Sequence, residues 1–237
     1  GDQMLTEASP CICGIAAAGL RTAVLLCAAC ATIGCEPTVE RPEVASYLRS
    51  EQDLQRIQRV VLVEFSDEKA GPEACSCFTD RVVQALSQRR LFHVELLPVS
   101  DPTHQLLPPG RRSPLTVEEL QQIRQTLRVD AVLLGMITSY KTYPHMQIGV
   151  YLRLLDLKNG RVIWSVDDIW DAQNKQVEKR IKRYFRNNVA DKYEPVDWRL
   201  ATISPTMFQK FVAHEIARTL PGDDSDQKTL DMDDFFP

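Results

Sequence analysis

The stretch from Gln147 to Ile169 reads as two strands joined over Lys158-Asn159-Gly160. In the first arm Ile148, Val150, Leu152 and Leu154 recur at every second position, which places them on one face of an extended chain. Asn-Gly supplies the positive φ angles that a tight hairpin turn needs. Just upstream, Asp130-Ala-Val-Leu-Leu-Gly-Met-Ile-Thr138 is almost wholly apolar, as expected of a central strand covered on both faces. Three strands in succession therefore define the middle of a sheet, and the rest of the chain must flank it.

Upstream, Arg59–Phe65 is a β-branched run and an expected buried strand, and His93–Val99 is expected to be a second strand. Between them Phe78, Val82 and Leu86 recur at helical spacing, predicting a helix over 78–91. A loop with Pro98, Pro102, Pro108, Pro109 and Pro114 follows. Thr116-x-x-Glu119 is a capping box with Leu115 and Leu120 at the staple positions, and Val117, Leu120, Ile123 and Leu127 form the stripe of the helix it starts. After the hairpin come a basic helix over Lys175–Asn188 and a last helix opened by Ser204-Pro205 and ended by Pro221-Gly222. The expected fold is α/β in βαβαβββαα order, a mixed sheet of about five strands flanked by helices.

Around that body lie segments of different character. Residues 1–35 form a leader, 36–58 a polar tether with a short helix around Val44–Ile57, 59–221 a single α/β domain, and 222–237 an acidic tail expected to be disordered. The net charge is −4, but Asp223–Pro237 carries six Asp against one Lys, and the middle of the chain is close to neutral. That balance gives no general attraction to nucleic acid.

The leader contains thirteen uncharged residues, Thr22–Gly34, which as a helix rise about 20 Å against a hydrocarbon core of about 30 Å. Extending it back to Cys11 centres Arg21, at a cost of about 2.5–3.5 kcal/mol. A short apolar run behind one basic residue fits the core of a secretory signal. Its end, Ala31-Thr32-Ile33-Gly34-Cys35, resembles the lipobox of bacterial lipoproteins, with Thr32 where Leu is usual. That resemblance implies cleavage before Cys35, lipidation of Cys35 with fatty acyl chains such as palmitate, and, since Glu36 rather than Asp follows, a periplasm-facing anchor in the outer rather than the inner membrane. A plain cleaved signal, an uncleaved anchor and a buried helix remain the alternatives.

The body also resembles a group of bacterial envelope lipoproteins: the curli-secretion component (CsgG-like), the lipoprotein activators of penicillin-binding proteins (LpoB-like) and the amino-terminal domain of TolB. The matching parts are RVVLVEF, QALSQRRLFHV, LRVDAVLLGMITSY and VYLRLLDLKNGRVIWS. Val129-Asp130-Ala131 and Gly135 fit the segment leading into the apolar strand, and Leu152, Arg153, Leu154, Asp156, Gly160, Val162 and Trp164 fit the hairpin, the whole covering 59–220. The resemblance implies a non-catalytic protein that binds an envelope protein partner in secretion, envelope assembly or peptidoglycan synthesis, with homo-oligomers in view. Long alternating segments of the kind that form transmembrane hairpins in the pore formers are not evident.

No motif names an enzyme. There is no Gly-rich phosphate loop and no GxSxG. His93, His104, His145 and His214 are scattered, and His214-Glu215 lacks the second histidine of the HExxH pattern. No catalytic residue, metal ligand or cofactor site is therefore assigned. Cys75-Ser76-Cys77 leaves three readings open: a strained disulfide, unbonded thiols, or a weak soft-metal site. Lys175, Lys179, Arg180, Lys182, Arg183 and Arg186 make the basic helix either a solvated face or a contact for anionic lipid headgroups, lipopolysaccharide or glycan strands. Secretion would remove nucleic acid as a partner. The alternative is an inner-membrane anchor with a cytoplasmic domain that binds nucleotide or RNA through the same helix.

Overall fold

The computed structural model describes residues 43–66, 70–107, 114–188 and 198–222. The leader with Cys35, the start of the tether and the acidic tail lie outside the described residues. The strands are β1 (Ser46–Leu48), β2 (Arg59–Val63), β3 (His93–Leu97), β4 (Ala131–Lys141), β5 (Gln147–Asp156) and β6 (Val162–Asp171). The helices are α1 (Glu51–Gln55), α2 (Pro72–Gln88), α3 (Val117–Leu127), α4 (Lys175–Asn188), α5 (Leu200–Ile203) and α6 (Pro205–Arg218), with a 3₁₀ turn at Pro102–Leu106.

One mixed sheet runs β1-β6-β5-β4-β2-β3. β2 pairs parallel with β3 and β4, while β4, β5, β6 and β1 form an antiparallel meander with β1 returning to the edge. The α/β class is as expected, and from Arg59 onward the βαβαβββαα order holds with one addition, the four-residue α5 between the two expected final helices. The sheet has six strands rather than five, because Ser46–Leu48 pairs with Val166–Trp164. The expected helix over 44–57 is cut to five residues, capped by Ser50, whose hydroxyl accepts from the Gln52 amide. Val44, Leu54 and Ile57 are buried in the main core, so the polar segment before Arg59 packs as part of the body.

Each face of the sheet is covered differently. Trp164, Trp170, Val150, Leu152 and Leu133 face α2, α4 and α6, whose Phe78, Val82, Ile181, Phe208 and Phe211 complete the larger core. Val61, Val63, Val132 and Leu155 meet α3 through Leu120 and Ile123 in a smaller one. β4 is buried through Ile137 except at Met136, as its apolar run predicts. The capping box of α3 forms in both directions, Thr116 with the Glu119 amide and Glu119 with the Thr116 amide.

The hairpin motif now has physical content. Trp164 is fully buried and its indole N–H donates to Thr219 Oγ1 at 3.0 Å, tying β6 to the end of α6. Gly135 lies beneath the Phe65 ring, where a Cβ would also come 2.8 Å from Leu152 Cδ1. At the β5–β6 turn only Gly160 takes a positive φ, +70°. Asn159 instead works through its side chain, accepting from the Arg161 amide at 2.9 Å and donating to Asp156 Oδ2. The Gly160 amide reaches the Asp156 carbonyl, and the register shifts at Leu154/Leu155. The turn falls at Lys158-Asn159-Gly160 as expected, but of the Asn-Gly pair only the glycine supplies a positive φ.

Candidate functional site

Helix α4 carries the six cations singled out in the sequence, and its sharp amphipathicity divides them. At about 100° per residue, Lys175, Lys179, Lys182 and Arg186 fall within an arc of about 60°. Val177, Ile181 and Phe185 occupy the opposite side and are buried in the core. Lys175, Lys179, Lys182 and Arg186 are exposed. Glu178 flanks this stripe and pairs with Lys182 at 2.8 Å and, more weakly, with Lys175 at 3.4 Å, which holds its carboxyl below the usual range. Lys182 also lies 4.2 Å from the centroid of the Trp198 ring, a cation–π contact.

Arg180 does not belong to this stripe. Its side chain is 8% exposed, against 4% for its partner Glu215 on α6, and Nη1 sits 2.6 Å from Glu215 Oε2. It lies on the flank of the helix that turns inward, so it cannot meet a surface, and that corrects its inclusion among the surface contacts. Burial pushes the Glu215 carboxyl above its usual range, against the pull of Arg180 and Arg218. The same Nη1 donates to the Glu43 carbonyl at 2.8 Å, and Arg183 Nη1 reaches Glu43 Oε1 at 3.2 Å. Two arginines of α4 thus grip the first described residue of the chain.

The Cys75 and Cys77 sulfurs are not joined. Both lie in the first turns of α2, where two residues of separation turn the side chains about 200° apart. Cys75 is buried against the core and Cys77 is exposed, so helical geometry removes the tight disulfide considered from the sequence. The histidines are equally separate: His93 is 3.5 Å from Glu95, His145 is 3.5 Å from Asp171, and the His214 ring meets Tyr184 at a tilt of 47°. Among the described residues no three His, Cys, Asp or Glu side chains gather as a metal-holding group, and no helix is long and apolar enough to cross a membrane.

A feature that sequence reasoning missed lies where α2 and α6 begin. A cleft of about 450 Å³ is lined by Ala70–Ala74, Cys77, Arg81, Tyr140, Pro205, Thr206 and Gln209. Gln209, 3% exposed, uses both ends of its amide there. Its Oε1 accepts from Arg81 Nη1 and its Nε2 donates to Tyr140 Oη at 3.2 Å. Arg81 Nη1 also donates to the Cys77 carbonyl at 2.9 Å. The only sequence signal was a Gln on the apolar side of the last helix, among Phe208, Phe211 and Val212.

Comparison with known proteins gives likenesses of structure only. No protein-family model matches the chain, and no curated protein matches it in sequence. Among solved structures, the hypothetical protein CT253 from Chlamydia trachomatis is 17% identical over 68% of this chain and 95% of its own, with a TM-score of 0.41. The PelC dodecamer from Paraburkholderia phytofirmans is 16% identical over 57% and 86%, with a TM-score of 0.40. The LpoB C-terminal domain from Salmonella enterica is 18% identical over 48% and 82%, with a TM-score of 0.32.

Proposed function

We propose that this chain is a non-catalytic, lipid-anchored protein of the bacterial cell envelope that holds a protein partner at the membrane surface. The anchor is Cys35, behind Gly34 at the end of the apolar leader, and the working part is the α/β body. The observation that carries the reading is the grip of Arg180 and Arg183 on Glu43. From Cys35 to Glu43 is eight residues, which at full extension span about 29 Å. In a chain lipidated at Cys35, Glu43 and the two α4 arginines that hold it would lie at most about 29 Å of chain from the lipidated residue, which allows the Lys175–Lys179–Lys182–Arg186 stripe to reach the headgroups.

Two physical consequences follow. Each exposed cation near an anionic leaflet contributes about 1 kcal/mol of attraction, which orients the body without a dedicated site. Confinement at the membrane raises the effective concentration of the domain toward a partner fixed there, so modest affinity suffices. Glu36 at the position after the lipidated cysteine favours the outer membrane and a periplasm-facing domain. Mass spectrometry of the mature amino terminus tests the anchor. A diacylglyceryl-modified Cys35 is expected, with Cys35→Ser releasing the protein from the detergent phase. An unmodified terminus upstream of Cys35 would sink it.

A further inference from the structure

The cleft at the start of α2 and α6 presents hydrogen-bond donors from three side chains. Both hydrogen bonds of Arg81 run through Nη1, so Nε and Nη2 have no partner among the described residues. Tyr140 accepts from Gln209 and keeps its own proton to give. Burial raises the Tyr140 hydroxyl above its ordinary value, so it stays a donor at neutral pH. The Thr206 hydroxyl lines the same space. Gln209 fixes Arg81 and Tyr140 relative to each other from below, which makes this a built arrangement rather than a chance grouping.

The backbone adds to it. Arg81 on α2 meets Gln209 near the start of α6, and Arg89 at the end of α2 donates to the Leu220 carbonyl after α6 at 2.9 Å. The two helices therefore run side by side in the same direction, and their positive ends both open on the cleft. Among the described residues Glu73 is the one carboxylate in the lining, and it offsets the formal charge of Arg81. That balance disfavours a doubly charged phosphate and leaves room for a single negative charge. Ala70, Pro72, Ala74 and Pro205 supply an apolar floor for a small body attached to it.

We infer that this cleft binds one carboxylate group borne on a small apolar body, held by the free edge of the Arg81 fork and the Tyr140 hydroxyl. Such a group comes either from a free carboxylic acid or from the carboxyl terminus of a peptide. The site is independent of the anchor at Cys35 and stands or falls separately.

Isothermal titration of the full chain in detergent separates these sources. The probes are 3-methylbutanoate and N-acetyl-Ala-Ala-Leu, each with its carboxamide as the uncharged counterpart. At least one acid is expected to bind and its amide is not, and the acid that binds names the source. Arg81→Gln is expected to weaken binding about tenfold to hundredfold, with Arg81→Lys restoring only part. Ala74→Trp, which fills the cleft from the start of α2, is expected to abolish binding while leaving the melting temperature in place. Lys210→Gln, on α6 but outside the lining of the cleft, is expected to change nothing. Neither acid binding, equal binding of acid and amide, or full affinity in Ala74→Trp would each overturn the assignment.

Discussion

Arg180 Nη1 lies 2.6 Å from Glu215 Oε2 with both side chains more than nine-tenths buried, and this pair joins α4 to α6. Removing one partner strands the other charge away from water. Arg180→Gln is expected to cost about 3–5 kcal/mol, read from urea unfolding, and Arg180→Met with Glu215→Leu to recover much of it. The deficit should depend on pH. Burial already holds the Glu215 carboxyl above its ordinary value, and losing Arg180 raises it further. A folded-state value above the unfolded one gives stability that is present at acid pH and lost as pH rises through the folded value. Arg180→Gln should therefore lose less at about pH 5 than at about pH 8. A deficit that does not change with pH would mean that water reaches Glu215.

Tyr184 sets an alkaline limit. Its ring packs against His214 at 4.8 Å and Phe211 at 5.8 Å, and burial raises its hydroxyl above the ordinary 10.0. The unfolded chain loses this proton first, so its contribution is intact below that value and lost as pH rises through the folded one. Tyr184→Phe should keep the packing and flatten the fall in urea midpoint between about pH 9 and about pH 11. The same fall in both proteins would place the alkaline transition elsewhere.

Gly135 is a steric requirement. A Cβ at this position meets the Phe65 ring and comes 2.8 Å from Leu152 Cδ1 in the middle of the sheet. Gly135→Ala should destabilise by about 1–3 kcal/mol through overpacking. An unchanged melting temperature would show that Phe65 moves aside freely.

Asp130 staples the start of β2 to the start of β4. Its Oδ2 accepts from the Gln58 amide at 3.1 Å and the Arg59 amide at 3.0 Å. Asp130→Ala is expected to cost about 1–3 kcal/mol, and Asp130→Asn, which keeps one acceptor, less. Equal losses for the two would assign the effect to charge alone.

The stripe on α4 should be protected at an anionic surface. In the lipidated protein reconstituted into vesicles, amine acetylation of Lys175, Lys179 and Lys182 is expected to slow severalfold when anionic lipid replaces zwitterionic lipid, with Lys158 on the β5–β6 turn as the exposed reference. Equal rates in both vesicles would remove the membrane-facing role of this helix.

What the sequence determined by itself is the local part of this protein. Period-two alternation in Ile148–Leu154, the apolar run of β4, the Thr116–Glu119 box and the Ser204-Pro205 start are written in adjacent residues, because their physics acts within one or two turns of chain. The class, the element order and the bounds of α4 follow from them. Tertiary structure decided the rest. Ser46–Leu48 became an edge strand only because Trp164–Val166 offered unpaired backbone across more than a hundred residues of chain. Arg180 looked like its five neighbours until Glu215, thirty-five residues on, drew it inward. Arg81, Tyr140 and Gln209 share no local pattern at all and meet only when α2 and α6 pack side by side on β4. A contact between residues distant in sequence leaves no periodicity behind, so a site built from such contacts is visible only in the folded chain.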